Sequence, residues 1–186
     1  MRRYDVVFNL IKNIKNPVGA EIGVMDGVFS INMLEMKRDL KLFSIDPYTM
    51  FNPYYRVDKT GAKQHGFKSQ KEWDDLYEQI KIKFERYGNR SVLLRGTSIS
   101  SSKIVEDESL DFVFIDANHL YKYVKEDILT WIKKIKTGGI ISGHDYNKKD
   151  EHLILNVCKA VDEIFDKNEL NFGADNCWWV IKNEKI

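Results

Sequence analysis

The chain has 186 residues, of which 43% are hydrophobic and 31% charged, and its formal net charge is +1. This length and composition are typical of a single globular domain, here residues 1–186, and exclude an intrinsically disordered chain. Nucleic-acid-binding proteins usually carry a strongly basic surface, so the near-zero net charge indicates no nucleic-acid partner.

The sequence predicts alternating helices and strands. The predicted helices are Val6–Ile14 within residues 1–17, Val28–Lys37, one around Trp73–Phe84, one from Val124 through Ile135 that stops at Thr137–Gly139, and Leu153–Phe165. The predicted strands are Val18–Gly23, Leu40–Asp46, Ser91–Arg95, Leu110–Asp116, Gly139–Gly143, Leu170–Gly173 and Cys177–Lys182. The helices follow from apolar residues three and four positions apart.

Alternation of strand and helix predicts a parallel sheet with right-handed crossovers. The last two strands have no helix between them, so we expect them to form an antiparallel hairpin at the C-terminal edge. The predicted fold class is therefore α/β, a Rossmann-like, doubly wound, mostly parallel sheet.

Residues 47–70 break this alternation. Their most irregular part, Pro47–Gly66, contains three tyrosines and His65 but shows no periodicity. Loops of this length are usually lids or binding loops. We predict a lid-like insertion. The alternative, a disordered surface insertion, is disfavoured because disordered segments are poor in aromatic residues.

The compartment is indicated by what the sequence lacks. The N-terminus shows no signal-peptide core, and no apolar run approaches the ~20 residues that span a bilayer. Cys158 and Cys177 lack metal-ligand spacing and are interpreted as free thiols, which suit a reducing environment. We expect a cytoplasmic protein with no membrane partner.

A glycine motif, Glu21-x-Gly23-x-x-x-Gly27, follows the first predicted strand and opens a helix. Gly23 would allow a sharp turn, and Gly27 would let the backbone approach a ligand at the helix N-terminus. Asp46 ends the second strand, where a carboxylate can accept hydrogen bonds from a ribose diol. Met25 stands where dinucleotide-binding proteins have their second glycine, which favours S-adenosylmethionine (SAM) over a dinucleotide.

Several segments in a fixed order resemble the class I SAM-dependent methyltransferases, and more narrowly the small-molecule and sugar O-methyltransferase branch that includes the macrocin-type enzymes. They cover most of the chain from about residue 18 and are Ala20–Gly27, Asp46–Pro47, Asp111–Tyr121, Asp127–Trp131, Thr137–Tyr146 and Val157–Glu163. The resemblance implies a seven-stranded sheet with an antiparallel last strand. It also implies a SAM site at the carboxyl ends of the first strands.

The resemblance further assigns the parts of the cofactor. Glu21, Gly23 and Gly27 would surround its methionine and Asp46 would bind its ribose. Gly96, Thr97 and Ser98 would lie near its adenine, and Asp116 beside its sulfonium.

Two pairs of polar residues follow the fourth and fifth predicted strands: Asp116 with His119, and His144 with Asp145. Methyl transfer to a hydroxyl needs its proton removed, by a histidine base or with help from a divalent metal. We predict His119, His144 and Asp145 as catalytic residues. By resemblance to catechol-type O-methyltransferases, Asp116 and Asp145 would hold Mg²⁺ or another divalent metal. The alternative is that these aspartates cap the following helices.

The predicted function is SAM-dependent methylation of a hydroxyl on a small acceptor, with a sugar or glycan unit as the first candidate. A Rossmann-type nucleotide-dependent oxidoreductase and a non-catalytic cofactor-binding module remain alternatives. A nucleic-acid methyltransferase is disfavoured by the near-neutral charge. A homodimer is left open, because a second subunit could supply part of the active-site cover.

Overall fold

The computed structural model describes residues 1–50, 69–147 and 154–184. Most of the predicted insertion over residues 47–70, including His65, lies outside the described residues. Among the helices that are described, none is both long and apolar enough to cross a membrane. Cys158 and Cys177 are both buried and are not joined by a disulfide bond.

The helices and strands follow the predicted order. They are α1 (Arg3–Ile11), β1 (Val18–Ile22), α2 (Val28–Met36), β2 (Lys41–Asp46), α3 (Gln70–Glu85), β3 (Ser91–Arg95), α4 (Ser98–Ser102), β4 (Leu110–Ile115), α5 (Tyr121–Trp131), β5 (Ile135–Gly143), α6 (Ile154–Ile164), β6 (Asn171–Phe172) and β7 (Trp178–Ile181). The first helix begins three residues earlier than predicted, and α4 was not predicted.

Within the described residues, seven strands form one sheet in the order β3-β2-β1-β4-β5-β7-β6. Strands β1 to β5 run parallel, β7 is antiparallel to β5, and β6 is antiparallel to β7. The predicted α/β class, the mostly parallel sheet and the antiparallel last strand are confirmed. The chain order reverses at β1, and open α/β sheets bind ligands at the carboxyl ends of the strands beside such a reversal.

The central strand β4 explains why both faces of the sheet are covered. Val113 faces a core cluster that also contains Ile128 of α5. Its neighbours Phe112 and Phe114 face the opposite cluster, where the Phe114 ring stacks on Phe29 of α2 with centroids 4.2 Å apart. Successive side chains of a strand alternate between faces, so a continuous apolar run is what a strand buried on both sides requires.

The prediction that one helix runs through Ile135 to the glycines at 138–139 is wrong. Helix α5 ends at Trp131, and β5 already begins at Ile135. The β4–β5 pairing shifts register here, and the amide of Gly138, with φ +83°, donates to the Lys182 carbonyl at 2.8 Å. Ile135 is fully buried in the strand. Its apolar side chain suits either element, so spacing alone did not distinguish them.

Candidate active site

The loop between β1 and α2 is held by the carboxylate of Asp46. Its Oδ2 accepts hydrogen bonds from the backbone amides of Val24 and Met25, both at 3.0 Å, and its Oδ1 accepts from the amide of Tyr48 at 2.8 Å. The Tyr48 hydroxyl donates to the Met25 carbonyl at 3.1 Å. These bonds fix a loop in which Met25 has a left-handed φ of +49°.

Asp46 therefore has a structural role that sequence reasoning missed. A carboxylate offers about four lone-pair sites, and three backbone amides use the carboxylate of Asp46. The residue is only 8% exposed. Its predicted contact with a ribose stays a prediction, and shaping the loop is the role that the structure describes.

Glu21 lies within the protein rather than at an open surface. It is 2% exposed and accepts a hydrogen bond from Ser30 Oγ of α2, which lies 2.6 Å from Ser44 Oγ of β2. Burial raises the pKa of Glu21 well above its usual range. The carboxyl group thus joins β1 to α2 and β2, and its predicted contact with the methionine part of a cofactor stays a prediction.

The two glycines of the motif are required for different reasons. Gly23 has φ +94°, and a Cβ there would lie 2.2 Å from the Asp116 carbonyl oxygen, because the loop passes against the end of β4. Gly27 has φ +75° at the start of α2, and a Cβ there would lie 3.2 Å from the Phe84 ring and 3.4 Å from Ile80. A side chain at Gly27 would thus point toward α3, and the predicted approach of the Gly27 backbone to a ligand stays a prediction.

The predicted adenine loop, Gly96 to Ser98, is tied to two neighbouring elements. The amide of Gly96 donates to the Asp46 carbonyl at 3.1 Å. Ser98 Oγ accepts from Trp131 Nε1 at 2.8 Å and is hydrogen-bonded to the Asp127 carboxyl group. Burial raises the pKa of Asp127 to about 7. Thr97 caps α4 by accepting from the amide of Ser100 at 3.1 Å.

The four polar residues predicted to follow β4 and β5 come together. Ile115 pairs with Gly143 at the ends of the two strands, so the residues after them are neighbours. His119 Nε2 lies 2.9 Å from Asp145 Oδ2 and 3.6 Å from Asp116 Oδ1. His144 Nδ1 lies 3.1 Å from Asp145 Oδ1 and 4.0 Å from Asp116 Oδ1. We call Asp116, His119, His144 and Asp145 the rim cluster.

Charge within the rim cluster controls its protonation. Burial lowers the pKa of His119, but hydrogen bonds and negative charge from Asp116 and Asp145 outweigh burial and raise it to about 9. The same balance raises the pKa of His144. Burial raises the pKa of Asp145, but both histidines outweigh it and hold that pKa well below its usual range. At neutral pH His119 is therefore protonated in this arrangement and accepts no further proton.

Two residues beside the rim cluster were missed by the sequence analysis. Arg3 Nη1 of α1 lies 3.5 Å from Asp116 Oδ2, and the Arg3 amide donates to Asp175 Oδ2 at 3.0 Å. Asp175 belongs to the turn between β6 and β7. Antiparallel pairing places Trp178 opposite Gly143, so the predicted hairpin could have located this turn at the rim. No sequence signal indicated Arg3.

Three residues of the rim cluster could hold a metal ion. Asp116, His144 and Asp145 each offer one ligand atom, and these atoms lie within 4.8 Å of one another. Carboxylate oxygens and an imidazole nitrogen are ordinary ligands of divalent cations, so the donor set fits such an ion. The capping alternative fails for Asp116, because α5 begins at Tyr121 with Leu120 at its cap position.

Comparison with known proteins came to the same fold and family. A family model described as a methyltransferase domain matches residues 20–146. The O-methyltransferase NovP superposes with a TM-score of 0.63 at 17% identity, covering 97% of this chain and 78% of that structure. The O-methyltransferase from Bacillus cereus, solved in complex with S-adenosylhomocysteine (SAH), gives 0.62 at 14% identity, covering 97% and 80%. The SAH-bound Podospora anserina methyltransferase PaMTH1 gives 0.62 at 15% identity, covering 90% and 72%.

A curated relative, an uncharacterised protein of Sinorhizobium fredii, is 31% identical over 72 residues, which are 39% of this chain. The match covers only 8% of the length of that relative. Because the solved structures are less than 20% identical to this chain, their likeness establishes the fold alone.

Proposed function

Because this chain belongs to the methyltransferase domain family, we propose that it transfers the methyl group of SAM to a hydroxyl group of a small acceptor. The observation that carries the proposal is that the β1–α2 loop and the rim cluster meet at the carboxyl ends of β1, β4 and β5. Gly23 is in contact distance of the Asp116 backbone. A cofactor on the loop and an acceptor on the rim cluster would therefore be neighbours.

The cofactor half of the proposal is supported by the position of the β1–α2 loop beside the chain reversal of the sheet. Two proteins of the same fold were solved with SAH, the product that remains when SAM loses its methyl group. The loop is already shaped by Asp46, so little ordering is needed when a cofactor binds.

The catalytic half follows from the reaction. The acceptor oxygen forms a bond to the methyl carbon as the carbon–sulfur bond breaks. The electron pair of the broken bond stays on sulfur, and the acceptor hydroxyl loses its proton. Asp116, His144 and Asp145 would hold a divalent cation, which lowers the pKa of a bound hydroxyl. In this proposal the acceptor would be positioned and deprotonated beside both histidines and Asp145.

The proton acceptor in this proposal is His119. Its pKa is about 9 only because Asp116 and Asp145 are free to interact with it. A cation bound to these carboxylates would offset their charge and lower the pKa of His119 toward its usual value of about 6.5. Nε2 could then accept the proton of the substrate hydroxyl.

The finer parts of the proposal concern substrate and setting. The acceptor is a hydroxylated small molecule, with a sugar or glycan unit as the first candidate. We propose that residues 1–186 form one domain that acts in the cytoplasm, and that the protein acts on neither nucleic acid nor membrane. Association into a homodimer would help to cover the site.

The test is an assay of SAH release from SAM over a panel of small hydroxylated acceptors. With saturating substrates, His119→Ala and Asp145→Ala should each lower kcat by about 100-fold or more, the usual contribution of a positioned acid or base. Asp107→Ala is the matched control, because Asp107 pairs with Lys134 at the surface. Unchanged turnover in both rim variants would refute the catalytic assignment. SAH binding without turnover on any acceptor would favour the non-catalytic module.

A further inference from the structure

The two nitrogens of the His144 ring have different surroundings. Nδ1 faces the rim cluster, 3.1 Å from Asp145 Oδ1 and 4.0 Å from Asp116 Oδ1. Nε2 is buried and has no hydrogen-bond partner among the described residues. It lies 3.7 Å from Asp175 Oδ2. A buried polar nitrogen without a partner is costly and calls for an explanation, and a carboxylate less than 1 Å beyond hydrogen-bond range supplies one.

Asp175 is held in place from two sides. The Arg3 amide donates to its Oδ2 at 3.0 Å. Asp175 and Asn176 have consecutive left-handed φ angles of +59° and +53°, which aspartate and asparagine adopt more readily than other residues. The amide of Tyr146 donates to the Asn176 carbonyl at 3.0 Å, so the turn is tied to the chain that directly follows Asp145. The carboxylate is thus fixed beside the ring of His144.

We propose that Asp175 is a positioning residue of the cation site: it accepts a hydrogen bond from His144 Nε2 and so holds Nδ1 toward Asp116 and Asp145. The inference rests on the proposed function of the rim cluster. Metal-binding histidines almost always donate their other ring N–H to a carboxylate, carbonyl or water, and this partner fixes the ring orientation. Hydrogen bonds in active sites often tighten only when the site is filled, which accounts for the 3.7 Å separation.

The competing explanation is that Asp175 only anchors the start of α1 through the Arg3 amide. The chain offers a matched control for that role. Asp5 Oδ2 accepts from the Arg2 amide at 2.8 Å at the same helix end. Asp5→Ala therefore removes a similar hydrogen bond at the start of α1 without altering the pairing of His144 with Asp175.

The experiment is calorimetric titration of the full chain with Mn²⁺, with SAH titrated in parallel as a check of the fold. Asp175→Ala should weaken Mn²⁺ binding by about 10–100-fold, the usual effect of losing such a partner. Asp175→Asn, which keeps a hydrogen-bond acceptor but no charge, should weaken Mn²⁺ binding by a smaller factor. Asp5→Ala should bind Mn²⁺ like the wild type. SAH affinity should be unchanged in all three variants.

A double-mutant cycle shows whether Asp175 acts through His144. In the His144→Ala background, adding Asp175→Ala should cause no further loss of Mn²⁺ affinity. Equal losses in the two backgrounds, or no loss in either, would overturn the inference. If Asp175→Ala does not fold, the same cycle is run with Asp175→Asn. A wild type that binds SAH but not Mn²⁺ overturns the inference and leaves the cofactor half of the proposed function standing. A wild type that binds neither overturns both.

Discussion

The close approach of the β1–α2 loop to the end of β4 is tested most sharply by Gly23→Ala. Two costs arise. A residue with a side chain is strained at φ +94°, by about 1–2 kcal/mol from the general cost of left-handed backbone. The new Cβ would also lie 2.2 Å from the Asp116 carbonyl oxygen and 2.7 Å from the Ala117 Cα. Both atoms belong to the backbone, so relieving the contact should cost about 1–3 kcal/mol more.

Gly138→Ala separates the two costs. Gly138 has a similar φ of +83°, but a Cβ there would meet nothing within 4 Å. It should therefore lose only about 1–2 kcal/mol of unfolding free energy, whereas Gly23→Ala should lose about 2–5 kcal/mol. The difference is large against a typical stability of about 5–15 kcal/mol.

The assay is urea unfolding of the two variants and the wild type, with the free energy of unfolding extrapolated to water. SAH titration of the same samples measures whether the β1–α2 loop still binds the cofactor product. We expect Gly23→Ala to weaken SAH binding and Gly138→Ala to leave it unchanged. Equal destabilisation of the two variants would refute the reasoning, because it would show that the contact with β4 contributes nothing.

Three further predictions concern protonation, a buried hydrogen bond and metal preference. The pKa of His119 is raised to about 9 in the folded protein, so protonated His119 should stabilise the fold fully below the unfolded pKa of about 6.5 and lose this effect as the pH rises through 9. His119→Gln should therefore reduce the drop in unfolding free energy between about pH 6.5 and 9. An unchanged drop would contradict the raised pKa. Ser98→Ala should lower the unfolding free energy by about 1–3 kcal/mol, because Trp131 Nε1 and the Asp127 carboxyl lose their shared partner; urea unfolding indistinguishable from the wild type would count against this bond. Mn²⁺ should bind more tightly than Mg²⁺, because His144 offers a nitrogen ligand. In calorimetry, His144→Asp should shift the metal preference toward Mg²⁺. Tighter Mg²⁺ binding by the wild type would contradict the proposed ligand set.

Much of the fold could be predicted because its signals are local. The run at Phe112–Ile115 is apolar throughout, which is typical of a strand buried on both faces, and an acid or a glycine ends or directly follows several strands. The prediction of the boundary between α5 and β5 was wrong for the same reason. Ile135 satisfies a helical spacing and a strand equally well. The amide of Gly138 donates to the carbonyl of Lys182, a partner far along the chain.

The rim cluster was partly predictable for a topological reason. Parallel neighbours end at the same edge of a sheet, so the residues after β4 and β5 meet once these two strands pair, as all four do. Arg3 and Asp175 reach the rim from the two ends of the chain, and their contacts depend on how α1 and the β6–β7 turn pack. The loop-forming role of Asp46 was hidden because its partners are backbone amides, which every sequence contains.

The central claim is that this site binds SAM and passes on its methyl group, and calorimetric titration with SAH tests its foundation most directly. We predict saturable binding with one SAH per chain, weakened in Gly23→Ala, and no saturable binding of NAD or NADP under the same conditions. Absence of SAH binding would contradict the account. Binding of a dinucleotide in place of SAH would favour the oxidoreductase alternative.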